Sequence, residues 1–106
     1  MPGTSSLAII IDGAPHLSPE LLKELYRITG RPSVDLRAAI LVGEEVYSAE
    51  LFGTDHVGVV PRLEKTIAFC ERHSLSFRIE ETYDGETEEI TLATMREILE
   101  SGAEGL

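Results

Sequence analysis

The sequence predicts an α/β two-layer sandwich of the α+β kind: a small, mainly antiparallel sheet with helices on one face. The predicted order is β-α-α-β-α-β, followed by a C-terminal hairpin strand and a helix. Three observations lead there. "SSLAIIID" (5–12) is a short β-branched run, and "LSFRIEE" (75–81) alternates apolar and polar residues. Between them lie segments with apolar residues at helical spacing, punctuated by Gly30 and Gly43. Strand and helix segments that alternate irregularly in a short chain favour helices packed on one side of a sheet.

Each element has a local chemical reason. Residues 5–12 end at Asp12-Gly13 and Pro15 and read as a buried strand. Ser18 is a natural N-cap, because its hydroxyl accepts a hydrogen bond from a free amide of the first turn. Pro19 follows where a missing N–H costs nothing, and Glu20 sits at the positive end of the helix dipole. Leu21, Leu22, Leu25 and Ile28 make the apolar stripe, and Gly30 closes the helix. Ser33 is the expected cap of a second helix, "VDLRAAILVG", with Leu36, Ala39 and Ile40 on one face. Val34, Leu41 and Val42 are also apolar, so this helix is expected to be buried on most sides. Residues 44–52 read as a strand, with a continuing helix as the rival.

Val60, Leu63, Ile67 and Cys70 mark a long third helix within 53–74. Pro61 complicates its start, since proline in a helix interior costs about 3 kcal/mol. The expected solution places Pro61 in the first turn; a kinked helix from Asp55 is the alternative. Leu75, Phe77 and Ile79 give the next strand its buried side. Asp84-Gly85 is a hairpin turn signal, and Ile90 suits a return strand. Thr91 is placed to cap a last helix bearing Leu92, Met95 and Leu99, with Gly102 as its expected stop. The length of 106 residues suits one domain, 1–106, with a core over 6–82 and an acidic extension over 83–106.

Three stretches of this order carry a resemblance. "ELYRITGRPSVDLRAAI" is similar to the paired helices of the ribosomal stalk protein's C-terminal domain, joined at a Thr-Gly turn. Gly43-Glu44-Glu45-Val46 resembles the glycine before the second strand of the ClpS-type protease adaptor. "LEKTIAFCERHSLSFRIEE" resembles the final helix and strand of both. The resemblance covers roughly residues 6–82 and implies their shared fold and a protein-binding role. The adaptor holds a substrate's N-terminus with an Asn-Asp pair after its first strand; the matching place here is Ile11-Asp12-Gly13, which keeps only the Asp. The stalk protein meets translation factors through a lysine-rich paired-helix surface. The matching place here offers Lys23, Arg27, Arg31 and Arg37.

The net charge of −10 is unevenly spread. Residues 1–79 carry 10 acidic and 8 basic side chains; residues 80–106 carry 9 acidic side chains and only Arg96. This balance argues against nucleic acid as a partner, because such binding rests on neutralising phosphates. No run reaches the roughly 20 apolar residues that span a bilayer, so no membrane is expected. The start "MPGTSS" lacks the basic stretch of a secretion signal, and the single Cys70 forms no internal disulfide. These features predict a soluble, cytoplasmic protein.

The search for chemistry finds little. His16, His56 and His73 are scattered, and a structural zinc site needs four ligands in close spacings. Cys70 and His73 are three apart, but Cys70 continues the apolar stripe, and a buried thiol is inert. Adjacent glutamates such as Glu80-Glu81 and Glu88-Glu89 point to opposite faces of a strand. No phosphate-binding loop is present. No metal or other cofactor is expected.

The leading reading is a small non-catalytic, adaptor-like module that binds another protein. Its candidate basic surface is Lys23, Arg27, Arg31 and Arg37. The candidate acidic surface is Asp84, Glu86, Glu88 and Glu89. That surface also serves an alternative: an acidic immunity or inhibitor protein for a basic toxin or nuclease, where opposite charge speeds association. A second alternative is a small enzyme with a site near Asp12, Asp55 and His56. A homo-oligomer built through the 75–82 strand or the 86–90 segment is a further expectation.

Overall fold

The computed structural model describes the backbone of residues 5–12, 17–50 and 56–104, and the side chains of 6–12, 17–50 and 58–100. Its elements are β1 (Ser5–Asp12), α1 (Pro19–Thr29), α2 (Ser33–Val42), β2 (Glu45–Glu50), α3 (His56–Arg72), β3 (Ser76–Tyr83), β4 (Glu86–Ile90) and α4 (Leu92–Glu104). The four strands form one antiparallel sheet in the order β2-β1-β3-β4. This is the predicted α+β class.

The pleat of β1 sorts the two faces. Leu7, Ile9 and Ile11 point into the helix layer and join one core with Leu22, Leu25, Leu36, Leu63, Ile67, Phe69, Ile79 and Met95. Ser6, Ala8, Ile10 and Asp12 lie on the other face. Ile10 is buried there too. It sits directly opposite Arg78, whose guanidinium bridges Asp12 and Glu80 on that same face. The aliphatic stem of such an arginine covers apolar surface while its charged end stays wet.

The helix boundaries show what local chemistry decides and what it does not. Ser18 caps α1 through its hydroxyl, which accepts from the Leu21 amide at 3.3 Å. Gly30 ends it at φ 80°, a left-handed conformation that suits glycine. The second helix departs from expectation. Pro32 is its N-cap and Ser33 its first residue, with no side-chain cap bond. Nor is it buried on most sides. Leu36, Ala39 and Ile40 face the core, while Val34, Leu41 and Val42 are exposed.

Pro61 lies inside α3, past its first turn, because the helix already begins at His56. Burial of Val59 and Leu63 on the same helix outweighs the local cost of the proline. Gly102 does not stop α4, which runs to Glu104. Of the two segments expected at a sheet edge, 86–90 lies on one and 75–82 does not. Residues 76–83 form an inner strand between β1 and β4, so β2 and β4 are the edges. The acidic C-terminal quarter is folded over its described residues, 80–104: Met95 and Leu99 are buried, and Ile90 packs against the core.

Candidate functional site

The α1–α2 turn is built from Thr29, Gly30 and Arg31. Thr29 is buried; its hydroxyl donates to the Leu25 carbonyl at 3.0 Å and accepts from the Arg31 amide at 3.2 Å. The turn therefore fixes the direction of Arg31. Its Nη1 donates to the Glu45 carbonyl at 2.6 Å, at the first residue of the edge strand β2. This bond ties the α1–α2 turn to the start of β2.

Arg31 also borders a concavity of about 870 Å3 along β2. Thr29 and Arg31 wall one end of it. Tyr47, Ala49 and Glu50 line the strand side, and Gly58, Val59 and Arg62 line the α3 side. Tyr47 is nearly buried and lines this concavity together with Arg62. Burial raises the phenol's pKa, and the nearby Arg62 charge partly offsets that.

Arg62 belongs to a second concavity as well, a groove of about 640 Å3 between α1 and α3. Arg27 and Ile28 of α1 face Arg62, Lys65, Ala68 and Arg72 of α3 across it. Four of the chain's nine Lys and Arg residues thus line one groove of a chain with net charge −10. Its one carboxylate among the described residues, Glu24, pairs with Arg72 and meets His73 Nε2 at 3.2 Å. His73 also packs edge-on against Phe69, at 4.8 Å between ring centres. Among the described residues, Arg27, Arg62 and Lys65 take part in no ion pair.

The expected basic surface is therefore divided and enlarged. Arg27 lines the groove and Arg31 the β2 concavity. Lys23 and Arg37 are exposed on α1 and α2 and line neither. Sequence reasoning missed Arg62, Lys65 and Arg72. Their spacing was a usable signal, since residues three and seven apart share a helix face.

The acidic surface lies at the other end of the sheet. Asp84 and Gly85, at φ 53° and 84°, form the two-residue turn of the β3–β4 hairpin. That turn sets Glu80 opposite Glu89 and Glu81 opposite Glu88. Like charges directly opposite one another are destabilising. Glu86, Glu88 and Glu89 are exposed on the β4 edge.

For the alternative site, Asp12 is bound to Arg78 on the open sheet face. Asp55 lies outside the described residues, and so does the side chain of His56, the first residue of α3. His16 is outside them as well. Cys70 is buried in the core, and burial pushes its thiol up to about 12. A thiol so protonated is a poor nucleophile at neutral pH. Among the described residues, no helix is long and apolar enough to cross a membrane. No family model, curated protein or solved structure matches the chain.

Proposed function

We propose that this chain is a small, non-catalytic protein-interaction module that receives an acidic segment of a partner protein in the groove between α1 and α3. One observation carries the reading. A strongly acidic chain gathers Arg27, Arg62, Lys65 and Arg72 around one concave surface. Concentrating like charge costs folding energy, and an acidic partner repays that cost on binding. The exposed apolar positions Val34, Leu41 and Val42 on α2 add support, since their spacing puts them on one outward stripe with Ala38. The likeness to the stalk-protein and protease-adaptor fold is part of the same reading.

A second reading rests on the hairpin. Its opposed glutamates, Glu80 with Glu89 and Glu81 with Glu88, would be relieved by a cationic partner, as in an immunity protein for a basic toxin. One experiment separates the two. Immobilised protein is offered poly-glutamate and poly-lysine peptides over a range of salt. The groove reading predicts salt-sensitive binding of poly-glutamate that Arg27→Glu with Lys65→Glu abolishes. Binding of poly-lysine alone, lost in Glu86→Lys with Glu88→Lys, reverses the assignment.

A further inference from the structure

We propose that β2 is an acceptor edge, to which an extended partner segment adds as a further strand with carboxylates at alternate positions directed at Arg31 and Arg62. This rests on the interaction-module reading and adds a second contact beside the α1–α3 groove, with which the β2 concavity shares Arg62.

β2 is an end strand of the sheet, so one row of its amides and carbonyls points away from β1. The concavity of about 870 Å3 follows this edge from Glu45 to Glu50, between the α1–α2 turn and the first turns of α3. A groove between an edge strand and a helix is the setting for strand addition. Among the described residues, the one side-chain hydrogen bond to this edge is that of Arg31, at Glu45. Among the described residues, no other hydrogen bond outside the sheet reaches the backbone of Val46–Glu50. β4, the other edge, carries Glu86, Glu88 and Glu89 instead.

The pleat of β2 sets the chemistry of the added strand. Tyr47 and Ala49 pair with Ile9 and Leu7 and point to the helix layer; Ser48 and Glu50 pair with Ala8 and Ser6 and point to the open face. An added strand alternates in the same way. Residues on its helix side meet the exposed guanidinium of Arg62 and that of Arg31, which favours Glu or Asp. Residues on its open side meet Ser48 and Glu50, which favours Lys or a neutral polar side chain. The occupant is thus an extended segment alternating acidic with basic or polar residues.

The probe is a peptide of about eight residues, a common strand length, alternating Glu and Lys. Two companions are N-methylated, each on one alternate set of amides; a fourth has the same composition in two blocks. Affinity is read by fluorescence anisotropy and edge protection by amide hydrogen exchange of the full chain. The proposal predicts that methylation of one alternate set weakens binding by about tenfold or more while the other set has little effect, because alternate amides face opposite edges. It predicts that the block peptide binds weakly, that the Val46–Glu50 amides slow on binding, and that Arg62→Glu or Arg31→Gln lowers affinity. Equal binding of both methylated peptides, with exchange at Val46–Glu50 unchanged at saturation, overturns strand addition and leaves the interaction-module reading standing. Failure of both these peptides and poly-glutamate to bind overturns both.

Discussion

The groove between α1 and α3 and the β3–β4 hairpin are opposites in more than charge. The groove draws its cations from two helices that meet only through tertiary packing, and it is concave. The hairpin draws its carboxylates from one continuous stretch, and they stand along an exposed edge. In the groove, Glu24 neutralises part of the charge through Arg72. On the hairpin, Arg78 does the same for Glu80 alone, while Glu81 and Glu88 face each other. A shaped surface whose charge is assembled by the fold is better suited to selecting a partner than a charged edge, which serves solubility and discourages pairing.

The largest expected effect tests whether the groove depends on the core beneath it. Phe69 is fully buried on α3, and Phe69→Ala is expected to cost about 3–5 kcal/mol of stability, measured by urea unfolding. Its loss also removes the ring that His73 packs on, so acidic-peptide binding should fall with stability. Next comes the groove itself. Lys65→Glu is exposed and should leave the unfolding midpoint nearly unchanged while lowering affinity for poly-glutamate about tenfold. A hairpin change should do the reverse. Glu88→Lys turns its repulsion with Glu81 into attraction and should stabilise the fold by about 0.2–1 kcal/mol, with poly-glutamate binding retained. The smallest effect is expected at Glu24→Gln. Its ion pair with Arg72 is largely solvated, so thermal unfolding should shift by less than about 1 kcal/mol. Removing the groove's carboxylate should nevertheless raise poly-glutamate affinity several-fold, as isothermal titration would report.

Much of the fold was legible because its signals are local. Ser18, Pro19 and Gly30 mark the ends of α1 by side-chain and backbone chemistry alone. Asp84-Gly85 specifies a two-residue turn, and counting back from such a turn pairs Glu81 with Glu88. The misjudged features depend on distant packing. Val34, Leu36, Ile40, Leu41 and Val42 are all apolar, and only the sheet decides which of them turn inward. Pro61 is disfavoured within a helix by local energetics, yet the burial of Val59 and Leu63 holds that helix together. The groove was half legible. Arg27 stood out beside the turn, but its meeting with Lys65 arises only when α1 packs on α3.

The central claim is that the groove, not the hairpin, meets the partner. The most direct measurement is a backbone amide chemical-shift map of the full chain titrated with a short acidic peptide. The account predicts perturbations that cluster on Arg27, Ile28, Arg62, Lys65 and Arg72 and disappear as salt is raised. Perturbations absent from those residues at saturation, together with a cationic peptide that shifts Glu81, Glu86 and Glu88, would contradict it.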